Sequence, residues 1–289
     1  MWQRSRAALS LRYSQPMAQA PETDRAANGE RQQSLQSLER GMAVIQVFSR
    51  ERPALTLSEV ANLTGITRAT ARRILLTLEK LGHVRSDGRL FSPTPRLLTL
   101  GWAYLSSLNL SELALPLMES LVEETHESCS AATLDIPDVV YVARVPTRRI
   151  MSITLSVGTR LPAHCTSMGR VLLAAMPPEQ LDAYLSDTEL EAWTERTITD
   201  PDRLRSSLDD VRQRGWALVD QELEVGLRSV AAPIRRGQDT IAALNVSSAV
   251  SRVSLDDLRR RILPPLVRTA ETISNALTHQ GPQYHRPVS

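Results

Sequence analysis

The sequence predicts an α+β protein of two domains, and three observations support this prediction. Apolar residues at helical spacing and strand-like runs occur along one chain of 289 residues, a length that suits one large domain or two ordinary ones. The content of 42% hydrophobic and 23% charged residues is that of a globular protein, which excludes a wholly disordered or fibrous chain. No stretch approaches the ~18 consecutive apolar residues of a membrane span, which excludes an integral membrane protein.

The net charge of +2 conceals a difference between two parts of the chain. Residues 31–101 carry eleven positive and five negative side chains, a net +6, whereas residues 102–280 carry eighteen arginines and twenty-four acidic residues, a net −6. A basic region followed by an acidic one indicates a polyanion-binding module joined to a domain with another task. The aromatic content of 4% argues against stacking platforms for single-stranded nucleic acid.

The two cysteines, Cys129 and Cys165, are too few for a disulfide scaffold or a structural zinc site. They favour a reducing, cytoplasmic setting, and no motif indicates a metal or a cofactor. The dipeptide His164-Cys165 raises the alternative of a thiolate nucleophile beside a base. Adjacent residues of an extended segment point to opposite faces, so the two side chains are poorly placed to pair, and we expect no catalytic residues.

The N-terminal part is predicted to begin with a disordered tail over residues 1–33, followed by a helix over 36–49. Thr56 and Glu59 form the pattern of a capping box at the start of a second, short helix. Gly65 is suited to end that helix in a left-handed conformation. Thr67 then opens a third helix, which Gly82 ends. Two helices joined by a short turn that contains glycine are typical of a helix-turn-helix.

Residues 83–91 predict two short strands around an Asp-Gly turn, which is the pattern of a wing. A winged helix-turn-helix domain is therefore predicted over 34–95, followed by a linker helix over 96–110. The second helix of such a motif enters the major groove with its N-terminus first, where arginine can bind guanine and threonine can contact a base edge. Wing arginines are suited to phosphates. The predicted DNA-binding residues are Thr67, Arg68, Thr70, Arg72, Arg73, Arg85 and Arg89.

The acidic part, predicted as a domain over 111–280 with a tail over 281–289, mixes helices with strands. Its distribution of elements favours an antiparallel sheet flanked by helices. The predicted helices are 111–127, 167–176, 178–186, 201–214 and 254–278, the last of them bent near Pro264-Pro265. The predicted strands are 129–135, 139–145, 150–157, 215–220, 228–235 and 240–248.

Sequence motifs in both parts resemble the IclR family of transcriptional regulators. In the basic part these are residues 57–61 (LSEVA), 65–70 (GITRAT) and 72–78 (RRILLTL); in the acidic part they are residues 158–164 (GTRLPAH), 167–174 (SMGRVLLA), 220–222 (DQE) and 226–234 (GLRSVAAPI). Residues 165–170 and 226–229 are most similar to the subgroup that regulates protocatechuate, 4-hydroxybenzoate and β-ketoadipate catabolism. The resemblance implies a winged helix, a linker helix, a GAF- or profilin-like effector domain, and a homodimer or homotetramer.

The resemblance also implies an effector pocket in the acidic part. The matching family positions are Ser167, Met168, Asp220, Leu227, Ser229, Asn245 and Ser247. Two observations on the residues agree: a helix that begins at Ser167 offers free N–H groups to an anion, and Asn245 and Ser247 alternate along one strand and so share a face. Arg160, His164 and Arg228 are further candidates for binding a carboxylate.

The sequence thus predicts a ligand-responsive regulator of aromatic-acid catabolism. Its expected partners are double-stranded operator DNA, a small carboxylate effector (an aromatic acid or a β-ketoadipate-like acid) and further copies of the chain, with no membrane. One alternative is an effector-independent DNA-binding protein whose C-terminal half only oligomerises. An enzyme is the other alternative.

Overall fold

The computed structural model describes residues 35–49, 51–108, 110–147 and 155–279. The predicted tails over 1–33 and 281–289 lie outside these residues. The chain divides into two compact units between Ala103 and Tyr104. Within the described part of the chain, no helix has the length and apolar character needed to cross a bilayer.

The N-terminal unit is the predicted winged helix-turn-helix. Its helices and strands are α1 Gln36–Gln46, β1 Leu55–Thr56, α2 Leu57–Thr64, α3 Arg68–Lys80, β2 Val84–Ser86 and β3 Leu90–Pro93. The strands form an antiparallel sheet in the order β1-β3-β2. Strand β1 was not predicted, because two residues are too few to show an alternating pattern. The core of the unit consists of Val44, Val47, Leu55, Val60, Ala61, Ala71, Leu75, Leu78 and Val84.

The predicted linker helix begins later than expected. A single 3₁₀ turn, Pro95–Leu97, precedes helix α4, Leu98–Leu108. Thr94 caps the turn by accepting a hydrogen bond from the backbone N–H of Arg96. The division between the two units falls inside α4.

The C-terminal unit contains the remaining elements. Its helices are α5 Leu110–Thr125, α6 Ser167–Ala174, α7 Pro178–Asp187, α8 Pro201–Arg214, α9 Leu255–Asp257 and α10 Leu263–His279. Its strands are β4 Ser128–Asp135, β5 Asp138–Val145, β6 Arg160–Pro162, β7 Ala217–Asp220, β8 Leu227–Arg236 and β9 Asp239–Ala249. These bounds confirm the predicted α+β class with an antiparallel sheet and flanking helices.

The six strands form one antiparallel sheet in the order β6-β5-β4-β9-β8-β7. One face packs against α5 and α10 in a core that includes Val230, Leu244 and Val246. That core contains no residue of α6, yet every residue of α6 is buried, and α6 packs on β4, β7, β8 and β9. Helix α6 therefore covers the other face of the sheet.

The predicted strand over 150–157 is not supported where it can be compared. Residues 148–154 lie outside the described part of the chain. Residues 155–159 belong to no strand, and they contain a turn at Val157 and Gly158, where Gly158 has φ 87°. The edge strand is instead β6, which pairs with β5 through Arg160 and Val140. A run of β-branched residues shows that a segment suits a sheet, but the partner strand decides where the ladder forms.

The predicted helix over 254–278, with its bend near Pro264-Pro265, is present as three consecutive helical segments. A π-helical turn, Leu258–Ile262, connects α9 to α10 directly before the two prolines. Proline has no N–H to donate, and its ring crowds the carbonyl four residues earlier. The regular α-helical bonding therefore gives way to a wider turn at this point, and the buried side chains Leu258 and Ile262 still face the core.

Candidate DNA-binding surface and effector site

Local hydrogen bonds build the helix-turn-helix as the sequence predicts. Thr56 Oγ1 accepts from the backbone N–H of Glu59 at 3.3 Å, and Glu59 Oε2 accepts from the backbone N–H of Thr56 at 2.7 Å. These hydrogen bonds hold the pKa of Glu59 below its ordinary value. Gly65 ends α2 with φ 67°, a conformation that costs glycine little. Gly65 thus allows the chain to turn between α2 and α3, the two helices of the motif.

Thr67 is the N-cap residue of helix α3. Its Oγ1 accepts from the backbone N–H of Thr70 at 3.2 Å, and the two hydroxyls lie 2.9 Å apart. The helix buries Ala71, Leu75 and Leu78. The predicted DNA-binding arginines of this helix, Arg68, Arg72 and Arg73, are exposed.

The wing presents two further arginines. Asp87 Oδ1 accepts from the backbone N–H of Arg89 at 2.9 Å and of Leu90 at 2.7 Å, which shapes the turn and holds the pKa of Asp87 low. Arg85 donates to Ser92 Oγ at 3.1 Å across the β2–β3 hairpin. Both arginines are exposed.

A groove of about 410 Å³ brings the third helix and the wing together. Arg72 and Arg89 both line it, and so do the apolar side chains Leu57, Leu76 and Phe91. One residue of the predicted base-reading set and one of the predicted phosphate-binding set therefore border the same groove.

In the C-terminal unit, polar side chains share the face of the sheet that α6 covers. The strand register pairs Ser130 with Asn245 and Ser128 with Ser247 between β4 and β9, and it pairs Ser229 with Ser247 between β8 and β9. Side chains opposite each other in a ladder project to the same side. We call this set, Ser128, Ser130, Ser229, Asn245 and Ser247, the polar sheet face. It contains three predicted effector residues, and Leu227 has the same orientation as Ser229, two residues further along β8.

Asn245 is the central residue of the polar sheet face and is 4% exposed. Its Nδ2 donates to Ser247 Oγ at 3.1 Å, while its Oδ1 is buried and has no hydrogen-bond partner within the described part of the chain. A buried polar atom without a partner costs free energy of about 1–3 kcal/mol, so such an atom needs an explanation.

The start of helix α6 also carries a buried polar atom that has no partner among the described residues. Thr166 caps the helix by accepting from the backbone N–H of Gly169 at 3.2 Å. Ser167, the first residue of α6, is 1% exposed, and this atom is its Oγ. Met168 is fully buried. Ser167 and Asn245, whose side chains each carry such an atom, are both among the predicted effector residues.

The structure places Asp220 and Arg228 away from this set. Residue 228 precedes Ser229 and so points to the opposite side of β8, where it pairs with Asp220 on β7. Arg228 Nε donates to Asp220 Oδ1 at 3.0 Å, and Arg196 Nη1 donates to Asp220 Oδ2 at 2.9 Å. Both predicted residues are therefore engaged in an ion-pair cluster on the α5–α10 side of the sheet.

Arg160 and His164 also have partners within the fold. Arg160 forms ion pairs with Asp135 and with Asp138, whose Oδ2 lies 3.1 Å from Nε. His164 Nε2 lies 3.0 Å from the carbonyl oxygen of Glu191. The ion pairs connect β6 to the β4–β5 turn, and the histidine holds the segment around residue 191.

Sequence reasoning missed two arginines of this unit. Arg170 on α6 is 2% exposed and pairs with Glu222 at 2.6 Å. Arg144 on β5 lies opposite Ser130 in the ladder and donates to its Oγ at 3.3 Å, so it borders the polar sheet face. Arg144 follows a run of apolar residues in a strand, which was a signal that could have marked it.

The geometry gives no support to nucleophilic or metal chemistry. Burial raises the pKa of the Cys129 and Cys165 thiols, which keeps both protonated at neutral pH, whereas a nucleophilic cysteine needs a thiolate. Among the described residues, no three His, Cys, Asp or Glu side chains are grouped so as to hold a metal ion.

Comparison with known proteins agrees with both units. The family model of the IclR helix-turn-helix domain matches residues 37–88, and that of the bacterial transcriptional regulator IclR C-terminal domain matches residues 102–275. The chain belongs to the IclR family. This IclR-family chain is 48% identical over 244 residues to the Pca regulon regulatory protein of Pseudomonas putida, covering 83% of this chain and 84% of the relative.

Two further relatives concern aromatic acids. The p-hydroxybenzoate hydroxylase transcriptional activator of Acinetobacter baylyi is 37% identical over 244 residues, covering 82% of this chain and 90% of that protein. The second is an IclR homolog from Microbacterium hydrocarbonoxydans whose crystal structure was solved in complex with 4-hydroxybenzoate. Its sequence is 27% identical to this chain, and the two structures superpose with a TM-score of 0.76 over 84% of this chain and 99% of that one. The matched families and relatives are transcriptional regulators, which confirms the predictions of family and fold and that the chain is not an enzyme.

Proposed function

We propose that this IclR-family regulator controls genes for aromatic-acid catabolism by binding operator DNA as a dimer or tetramer and a small carboxylate in its C-terminal unit. The observation that carries the effector part is the polar sheet face, where Asn245 Oδ1 is buried and accepts no hydrogen bond from any residue that the structure describes. A ligand hydroxyl or N–H would satisfy this atom. The relatives named above support the aromatic class, and a protein that acts on operator DNA works in the cytoplasm.

The DNA-binding part of the proposal uses the seven predicted residues in three roles. Thr67 and Thr70 shape the start of α3 through their hydroxyls. Arg68, Arg72 and Arg73 are exposed and would enter the major groove. Arg85 and Arg89 are exposed on the wing and would bind phosphates. Leu35, which precedes helix α1, and Leu38 and Met42 within it expose an apolar stripe, with 70%, 61% and 43% of their surfaces exposed. A second copy of the chain would cover this stripe, which supports a dimer on an inverted-repeat operator.

Arg68→Ala is expected to weaken binding to the specific operator by about 1–3 kcal/mol and to relax base preference at one position. Arg89→Ala serves as the matched variant, because a phosphate contact should weaken binding to all sequences and lower the salt slope by about one. Footprinting on an inverted repeat and salt titrations measure both effects. Unchanged sequence discrimination by the Arg68→Ala protein would remove Arg68 from the base-reading residues.

Asn245→Ala and Ser229→Ala are each expected to weaken effector binding about tenfold or more, because each removes a polar group from a buried site. Operator affinity without effector should hardly change, since coupling acts only through the liganded equilibrium. Titration calorimetry of the full chain with 4-hydroxybenzoate, protocatechuate and β-ketoadipate measures the first effect. If Asn245→Ala binds these acids like the wild type, the polar sheet face is not the effector site.

The same titrations distinguish the alternative of an effector-independent protein. If the wild-type chain binds none of the three acids and none shifts its melting temperature, the C-terminal unit serves only oligomerisation. A ligand at a concentration of a hundred times its Kd stabilises the native state by about 2.7 kcal/mol, and a thermal melt detects a shift of this size.

A further inference from the structure

Among the described residues, Arg144 is the one half-buried or buried arginine of the C-terminal unit that forms no ion pair with a carboxylate. Arg160, Arg170 and Arg228, which are also half-buried or buried, each pair with an acidic side chain. Among the described residues, the hydrogen-bond partner of the Arg144 side chain is Ser130 Oγ, a neutral hydroxyl at 3.3 Å. Arg144 is half-buried, and withdrawing a cation from water without an anion beside it costs free energy, so a bound anion would stabilise this position.

The neighbours of Arg144 do not supply that anion. The groups that favour its charge are the Tyr141 phenol and the Cys129 thiol, and neither of them is a carboxylate. Burial raises the pKa of the Cys129 thiol. Burial also holds the pKa of the Arg144 guanidinium below its ordinary value, and a bound carboxylate would reverse that effect.

The position of Arg144 connects it to the polar sheet face. The ladder registers place Arg144 opposite Ser130 and Ser130 opposite Asn245, so the three residues form a row across β5, β4 and β9. The row offers the guanidinium of Arg144 at one side, the hydroxyl of Ser130 beside it, and the Oδ1 of Asn245, which has no hydrogen-bond partner among the described residues. A guanidinium can bind a carboxylate through two parallel N–H donors, and Asn245 Oδ1 is free to accept from a hydroxyl of the same ligand.

We infer that Arg144 binds the carboxylate of the effector and thereby makes the C-terminal unit selective for acids over neutral molecules of the same shape. This inference rests on the proposed effector function and specifies its ligand as an anion that also carries a hydrogen-bond donor. The acid 4-hydroxybenzoate satisfies both requirements, since its carboxylate and its phenolic hydroxyl lie on opposite sides of one ring. The β-ketoadipate dianion satisfies only the first, because it carries no hydrogen-bond donor.

The test compares 4-hydroxybenzoate with its neutral analogue 4-hydroxybenzamide on the full chain, using titration calorimetry. The wild type should prefer the acid at least tenfold, as expected when a charge-assisted bond is present for one ligand only. Arg144→Gln should lose at least tenfold in affinity for the acid, bind the amide almost as before, and so abolish the preference. Arg144→Lys should retain part of the preference, because it keeps the charge but not the fork.

Two controls separate binding from folding. Arg268→Gln removes an exposed arginine that pairs with Glu124 and should leave the preference for the acid unchanged. Arg252→Gln leaves the buried Glu127 without its cation and should lower the melting temperature, whereas Arg144→Gln should not, because it breaks no ion pair among the described residues.

The possible outcomes are distinct. If the wild type binds the acid and Arg144→Gln keeps the wild-type preference, or if it melts as early as Arg252→Gln, the inference about Arg144 is overturned and the effector function stands. If the wild type binds neither 4-hydroxybenzoate, protocatechuate nor β-ketoadipate, the effector function fails and the inference fails with it. A collapse of the preference without a loss of melting temperature supports it.

Discussion

Arg170→Met is expected to lower the free energy of unfolding by about 3–5 kcal/mol, because it leaves a buried carboxylate without its cation. Arg170 Nη2 donates to Glu222 Oε2 at 2.6 Å, and the side chains of the two residues are 3% and 11% exposed. Arg170 Nη1 also donates to Ser207 Oγ at 2.7 Å, and Arg170 Nε donates to the carbonyl oxygen of His164. One side chain therefore holds α6, α8 and the segments around residues 164 and 222 together.

Two variants distinguish the loss of a partner from the loss of attraction. Arg170→Met with Glu222→Leu should recover much of the stability, since replacing a buried pair by apolar residues is often neutral. Arg205→Met breaks the ion pair between Arg205 and Asp182, whose side chains are 41% and 60% exposed respectively. This substitution should lower the free energy of unfolding by no more than about 1 kcal/mol. Urea unfolding followed by circular dichroism measures all three. Equal losses for Arg170→Met and Arg205→Met would contradict this account.

The Arg170 variant is also expected to weaken effector binding, although it does not belong to the polar sheet face. Its guanidinium holds the carbonyl of His164, three residues before Ser167 opens α6, and Glu222 lies five residues before Leu227 begins β8. Both ends of the predicted site are thus held by one ion pair. Arg170 is a positioning residue in this sense.

Gly169→Ala is expected to cost about 3 kcal/mol or more, because a Cβ at this position would overlap the backbone of another segment. The added atom would lie 2.0 Å from the carbonyl oxygen of Ala163 and 2.4 Å from its Cα. Neither atom can move like the end of a side chain. Helix α6 would have to move away from residue 163, which would disturb the contact between α6 and the sheet.

Gly41→Ala is the matched control, since Gly41 also lies inside a helix, α1. A Cβ there would meet nothing within 4 Å. The substitution should therefore raise stability by about 0.5–1 kcal/mol, the usual advantage of alanine over glycine in a helix. Thermal melts of both variants give the comparison, and a Gly169→Ala protein as stable as Gly41→Ala would show that α6 can shift freely.

The two arginines that the sequence analysis missed show why a site is harder to predict than an element. The strand that carries Arg144 was predicted. The role proposed for Arg144 depends on its contact with Ser130, fourteen residues away, and on the lack of an acidic partner among the described residues. Arg170 and Glu222 are separated by 52 residues. Nothing in the local sequence distinguishes an arginine that meets a carboxylate from one that does not.

The predicted effector residues lie on both faces of the sheet, and the alternation of side chains in a strand already implied this separation. Arg228 and Ser229 are adjacent in a strand, so they could not both face one pocket, and alternation alone would have separated them. Which of them faces α6 depended on the register between β8 and β9. That register pairs Ser229 with Ser247 and, two residues further along β8, Ala231 with Asn245.

The sequence by itself determined the helix-turn-helix, the family, and most elements of the C-terminal unit. The capping box of Thr56 and Glu59 and the left-handed Gly65 are formed by residues within a few positions of one another, so their pattern is visible in the chain. Only the tertiary structure decided that β6 forms one edge of the sheet, that Asn245 Oδ1 has no partner among the described residues, and that Arg144 lies beside the polar sheet face. These features depend on which distant segments meet, and burial then decides which charges and polar atoms are left for a ligand.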